Sequence, residues 1–402
     1  NFYLIKTNSM SSSSKVVYVL LGMFGIVIIP YFGAYFHLDG NFDAHYFDFP
    51  PLKVEHEYTE FNWPIFYTVG VLFILTAILY IFPRVFGFKK SENKDSVTPH
   101  PATSYPVWFW IGGAVWLGSF VFLLLKCTYP KWFLNWAYVP LYWGFTFMLD
   151  GIVYRRTGGK SIFNNNPQEL IGIGVASVSG WLIFEFLNMF VQEYWYYPNG
   201  DNVPVAEFYT YAIFASSALM PLSFEWYSYF NTFPSFVRKY QNGPRIKFNR
   251  AMQYIILAGS CIVLFLMPFY PTWLCAAIWL APLLILTVIL DIIGIWTPFT
   301  PIRHGNWTPV LFLALTYPLE GFLLEGQNYL SARHHGLEAV TAYPGYWMYN
   351  VPFVNGYHVF EMPVMGFYGY LPFGIYCMVW WIAFAYILNI PTNFAKYESP
   401  VY

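Results

Sequence analysis

The chain has 402 residues, of which 57% are hydrophobic, 23% aromatic and 10% charged, where soluble domains carry about 25% charge. Such a composition leaves too little polar surface to cover a soluble core, whereas lipid accepts apolar side chains as the solvent of an outer face. The net charge of −1 gives no basic surplus for a nucleic-acid partner.

The opening NFYLIKTNSMSSSSK reads as a polar leader. Apolar runs of about 20 residues, the length that crosses a hydrocarbon core, then predict ten spanning helices. They are 16–37, 63–85, 106–126, 132–153, 168–192, 206–230, 251–269, 272–296, 307–330 and 366–390. The fold class expected is therefore all-α, a polytopic protein of the cell membrane. The loop 38–62 between the first two spans is acidic and aromatic and reads as an outer cap, with His37, His45 and His56 leaving a metal-binding loop as the alternative. When the loops are numbered alternately from an inside N-terminus, only Lys53, Lys126, Lys131 and Arg333 of the 20 Lys and Arg residues fall outside. The positive-inside rule then places both termini in the cytoplasm.

Short motifs recur along this row of spans. Tyr129-Pro130-Lys131-Trp132 returns as Tyr270-Pro271-Thr272-Trp273, and Leu149-Asp150 as Leu290-Asp291. Glu185-Phe-Leu-Asn188 returns as Glu325-Gly-Gln-Asn328, and Trp195-Tyr-Tyr197, after an insertion, as Trp347-Met-Tyr349. Phe224-Glu225 pairs with Phe360-Glu361 as a further match. A repeat at this period predicts a duplicated structural unit. Each copy covers four spans, so both share one orientation and face each other across an axis along the membrane normal. The chain then divides into 1–105, with the leader, two extra spans and the acidic loop, 106–250 as the first four-helix repeat, and 251–402 as the second repeat with the C-terminus.

Six acids stand out inside these spans: Asp150, Glu185, Glu225, Asp291, Glu320 and Glu325. No Lys or Arg lies at their depth, and an unpaired carboxylate in lipid costs a few kcal/mol on insertion scales. Such an acid is neutral, hydrogen-bonded, ion-binding or turned to a cavity. Asp150 and Asp291 near helix ends read as exposed termini or partners of Arg155, Arg156 or Arg303. Three-residue spacing puts Glu185 with Asn188, and Glu325 with Asn328, on one helix face. These four are the candidate catalytic residues, with Glu185 expected as the working acid, and interhelical hydrogen bonding as the structural alternative. Trp195, Tyr197, Trp347 and Tyr349 follow at the outer interface and, with Glu225, Glu361 and Glu320, form the candidate substrate pocket. No cofactor or metal is expected. The chain lacks a buried His pair for haem and paired Asp-rich motifs, and Cys127, Cys261, Cys275 and Cys377 read as small apolar residues. A weaker option is a metal site joining His334 and His335 to Glu325.

Two stretches carry a family resemblance: Gly345-Tyr-Trp347-Met-Tyr349-Asn350 with Phe360-Glu361-Met-Pro363, and Trp195-Tyr-Tyr197 with Pro221-Leu-Ser-Phe-Glu225. In these the chain resembles the integral-membrane carotenoid enzymes, namely the heterodimer-type lycopene cyclase domain and carotenoid 1,2-hydratase. The cyclases' PxEE signature is not intact here, since one stretch has a single acid and the other reverses the order. The resemblance implies cofactor-independent cyclase or hydratase chemistry on an isoprenoid, with Glu185 or Glu325 as proton donor and the Trp and Tyr residues as cation-stabilising walls. The alternative is a cation-coupled transporter, or a non-catalytic subunit bound to other membrane subunits.

Overall fold

A computed structural model describes residues 11–52, 59–90, 101–335 and 338–394. The leader up to residue 10, Lys53 and His56 of the outer loop, Lys94, and Lys396 with the C-terminus lie outside the described residues.

The chain is mostly helical. Helix α1 (Ser12–His37) starts where the Ser11 side chain accepts from Ser14 N, and α2 (Trp63–Ile81) where Asn62 accepts from Ile65 N. Such caps satisfy backbone donors that a helix start leaves open. Then come α3 (Val107–Leu124), α4 (Lys131–Trp136), α5 (Tyr138–Arg156), α6 (Ile162–Asn165) and α7 (Pro167–Asn188). After them follow α8 (Val205–Ser216), α9 (Leu219–Asn231), α10 (Pro234–Tyr240), α11 (Arg250–Leu266), α12 (Ala277–Ile292), α13 (Thr308–Leu330) and α14 (Tyr370–Leu388).

Among the described residues, six helical stretches are long and apolar enough to cross a membrane: Ser12–His37, Trp63–Ile81, Val107–Leu124, Pro167–Val191, Arg250–Phe269 and Gly366–Leu388. The other four expected spans also hold helix, but differ in ways the sequence explains. The span 132–153 divides into α4 and α5 at Ala137, and 206–230 into α8 and α9 at Ser217-Ala218. At the second break Ser177 Oγ on α7 donates to Ser216 O at 2.5 Å and accepts from Met220 N at 3.0 Å. That one hydroxyl satisfies backbone groups which an interrupted helix leaves unpaired. The span 272–296 keeps only the 16 residues of α12. Helix α13 has 23 residues, but Glu320, Glu325 and Pro318 lower its apolarity.

Helices α7, α9, α13 and α14 form the middle of the bundle. Contacts run α3 to α5, α5 to α9 and α7 to α9 on one side, and α11 to α12, α12 to α14 and α13 to α14 on the other. The two sides meet through α9 against α13 and α7 against α14. Close approach depends on small residues: a Cβ on Gly112 of α3 would lie 2.7 Å from Gly144 O of α5, and one on Gly374 of α14 2.2 Å from Leu313 O of α13. Helix α2, by contrast, has no buried residue. Its Ile74, Leu75 and Ile81 face outward, an apolar surface that water does not tolerate and lipid does.

Among the described residues, strands are confined to short antiparallel pairs: β1 (Trp195–Tyr196) with β4 (Met348–Tyr349), β2 (Arg333–His335) with β3 (Glu338–Val340), and β5 (His358–Val359) with β6 (Met362–Pro363). In the first, Trp195 lies opposite Tyr349 and Tyr196 opposite Met348.

Candidate functional site

Helix α7 carries Glu185 and Asn188 near its C-terminal end, and the chain returns over that end through β1. The three-residue spacing sets both polar groups toward the returning strand. Asn188 holds it: its Oδ1 accepts from Tyr194 N at 2.6 Å and its Nδ2 donates to Trp195 O at 2.8 Å. With the backbone fixed, Trp195 Nε1 donates to Glu185 Oε2 at 2.9 Å and Tyr197 Oη to Glu185 Oε1 at 2.6 Å.

Helix α13 builds the same clamp. Asn328 Oδ1 accepts from Trp347 N at 3.2 Å and Nδ2 donates to Trp347 O at 2.8 Å. Trp347 Nε1 donates to Glu325 Oε2 at 3.2 Å, and Tyr349 Oη to Oε1 at 2.6 Å. Glu325 has one further donor, Tyr370 Oη at the start of α14, also 2.6 Å from Oε1.

Both glutamates line one cavity of about 130 Å³. Trp195, Tyr197, Trp347 and Tyr349 line it too, together with Tyr138 and Tyr142 of α5, Trp181 of α7 and Trp279 of α12. None of the lining residues is Lys, Arg or His. The rings brace one another: Tyr138 stacks on Tyr343 with centroids 4.7 Å apart, and Trp195 lies 5.8 Å from Trp279. The space therefore offers two carboxyl groups within an aromatic wall, the setting in which an acid hands a proton to an apolar ligand and ring faces stabilise the resulting cation.

The other expected site residues are placed differently. Asn188 and Asn328 do not line the cavity, because both amides are used up in holding backbone. Glu225 on α9 and Glu320 on α13 are fully buried outside its lining, and neither carboxyl has a hydrogen-bond partner among the described residues. Glu361 lies in the β5–β6 turn, where Tyr346 Oη donates to it and His334 Nε2 sits 2.8 Å away. Burial first, then Glu361, raises the Tyr346 phenol above its ordinary pKa. Phe360-Glu361 thus occupies a turn and Phe224-Glu225 a helix, so their expected equivalence fails. His334 is taken up by Glu361 and stacks on Tyr329 at 3.9 Å. Among the described residues no group of three or more His, Cys, Asp or Glu is set to hold a metal ion.

The two helix-end aspartates also part company. Asp291 pairs with Arg303 and accepts from Gln253. Asp150 is buried and bonds neither Arg155 nor Arg156. It accepts from Trp108 Nε1 at 2.8 Å, Ser161 Oγ at 2.9 Å and Phe163 N at 2.9 Å, which fastens α3 and α6 to α5. Those arginines stack instead, Arg155 over Tyr105 and Arg156 over Phe233. Three useful residues escaped the sequence reading. Tyr370 opens the last span and carries no local motif. Tyr343 sits in a loop of ordinary composition. Glu169 anchors the chain beyond α14 by accepting from Asn393 N and Nδ2 at 3.0 and 2.9 Å.

Comparison with protein-family models, with curated proteins and with solved structures gives no match for this chain.

Proposed function

We propose that this chain is a ten-span membrane enzyme, built from two four-helix copies, that protonates an unsaturated isoprenoid or related lipid in the cavity between Glu185 and Glu325. The observation that carries the reading is the pair of clamped glutamates in one aromatic cavity without a basic residue. Duplication is supported by the packing, since α3–α5, α5–α9 and α7–α9 correspond in order to α11–α12, α12–α14 and α13–α14. It is supported also by the β1–β4 register, which is unchanged when Trp195 is exchanged with Trp347 and Tyr197 with Tyr349.

In the reaction, a carboxylic O–H bond breaks as its proton forms a C–H bond with one alkene carbon. The π pair is consumed, and the neighbouring carbon becomes cationic. The indole and phenol faces of the wall stabilise that charge, while the Trp N–H and Tyr O–H donors stabilise the carboxylate left behind. Attack by a second alkene and loss of an adjacent proton give a ring, or addition of water gives an alcohol. The carotenoid enzymes resembled by the sequence use this class of step. A transporter needs a polar route open to both faces, and the aromatic lining favours the enzyme instead.

The test is conversion of a linear isoprenoid polyene in membranes carrying Glu185→Gln or Glu325→Gln. Gln keeps the shape and the hydrogen bonds without the acidic proton. Loss of a general acid lowers the rate by about 10²–10⁴-fold, and at least one variant is expected to show that loss while folding normally. Full activity in both would return these acids to a structural role. In the same reading Arg155, Arg156 and Lys160 mark the cytoplasmic face, and a reporter active only outside the cytoplasm is expected to stay silent when fused to either terminus.

A further inference from the structure

A second cavity, of about 840 Å³, is built largely from the segment between α1 and α2. Its character is opposite to that of the glutamate cavity. Asp43, Asp48, Glu193 and Asp201 line it together with His37 and His45, and none of its lining residues is Lys or Arg. Carboxylates and imidazoles are costly to strip of water, so this space is a wet one. The glutamate cavity, walled mainly by Trp, Tyr and Phe, suits an apolar occupant. Among the described residues one side chain, Phe49, lines both spaces.

Phe49 stands at the seam between them. Its ring centroid lies 4.7 Å from that of Tyr209, which lines the second cavity, and 5.6 Å from that of Phe208, which lines the first. On its third neighbour, Tyr197, it packs edge-on at 6.2 Å, and Tyr197 Oη is the group that donates to Glu185 at 2.6 Å. The backbone just beyond Phe49 is fixed. Tyr197 N donates to Pro51 O at 2.7 Å, and Gly200 makes room for Pro50, since a Cβ there would lie 2.4 Å from Pro50 Cγ. With that backbone held, the freedom left to Phe49 is rotation of its side chain, a fast local motion, and the second cavity offers space for the rotated ring.

We infer that Phe49 is a valve between the two cavities, and that water enters the glutamate cavity from the second one when the Phe49 ring swings aside. The valve rests on the proposed function only for its purpose; its existence is independent of any substrate. Closed, the ring keeps water from a reactive cation. Open, it admits the water molecule that the hydration branch consumes. The water oxygen forms a C–O bond with the cationic carbon, and one of its protons passes to the carboxylate, which restores the acid for the next turnover.

Hydroxyl-radical labelling of the full chain in lipid nanodiscs, read residue by residue by mass spectrometry, tests this without substrate, because the radical marks side chains that water reaches. Phe49→Ala should raise the labelling of Trp195 and Tyr197 severalfold. Trp380, which is buried and lines neither cavity, should stay at its original level. Phe49→Leu should give a smaller rise at the same two residues, and it carries the test if the Ala variant fails to fold. Unchanged labelling of Trp195 and Tyr197 overturns the valve, as does an equal rise at Trp380, which would mean that the whole bundle had loosened. Either result leaves the activity measurement on Glu185→Gln and Glu325→Gln untouched, and a failure of that measurement leaves the labelling pattern to stand by itself.

Discussion

Glu185 and Glu325 are held by the same grammar of residues, yet their surroundings are unequal. Each accepts from one Trp and one Tyr, and each has an Asn three residues on that pins the Trp backbone. Glu325 has Tyr370 as a third donor, and a second acid, Glu320, on its own helix. Glu185 has Gly180 where Glu320 would be, with Met220 and Trp380 packed over it. The clamp is thus a way to hold a carboxyl, and what lies behind it differs between the two sites. The sequence favours Glu185 because Trp195 and Tyr197 follow it closely; the structure gives Glu325 the additional donor Tyr370.

The shared part of the clamp should break most severely. Asn188→Ala or Asn328→Ala strands a buried backbone N–H and C=O, at about 1–3 kcal/mol for each unsatisfied group. Both variants are expected to lose several kcal/mol and to unfold earlier on heating in detergent; an unchanged midpoint in either would show that the clamp is not needed there. The unequal part should separate the two sites. Tyr197→Phe removes the 2.6 Å donor to Glu185, leaving Trp195 and the nearby Trp181, and is expected to cost about 1–3 kcal/mol. Tyr349→Phe leaves Glu325 with Trp347 and Tyr370, so its loss should be the smaller one, and equal losses would remove Tyr370 as a compensating donor. A finer difference is expected at the indoles. Trp195 donates at 2.9 Å and Trp347 at 3.2 Å, so Trp195→Phe should lower the midpoint more than Trp347→Phe. Least affected of all should be Ile74→Leu on α2, within about 0.5 kcal/mol, since that side chain is exposed.

The residues of the clamp at Glu185 were legible in the sequence, whereas the use of Asn188 and Asn328 to hold backbone was not. Three-residue spacing on a helix and a Trp-x-Tyr return seven to ten residues later, as at Glu185, fix geometry over a short contour. Tyr370 was not legible, because nothing near Glu325 in the chain marks it as a third donor; only the α13–α14 packing brings it there. Helix content was legible from apolar runs, but the breaks at Ala137 and Ser217-Ala218 were not, since hydropathy averages over them while Ser177 stabilises one from another helix. Asp150 was misread for a related reason. Arg155 and Arg156 are its neighbours in sequence, whereas Trp108 and Ser161 are its partners in space.

The strand pair over the cavity is centred on Tyr196 opposite Met348. A ribbon with that centre is its own mirror in sequence order: either edge would pair as readily with a twin of itself. Two copies of a half-length ancestor carrying Glu, Asn, Trp and Tyr at these spacings could have closed the same roof as a homodimer, with no peptide joining them. In that history the present linker around Lys247 and Phe248, both exposed, is a convenience of inheritance. Under that history, joining two identical partners into one chain would free each to drift, so that one half could hold Glu225, the other Glu320, and neither a copy of both.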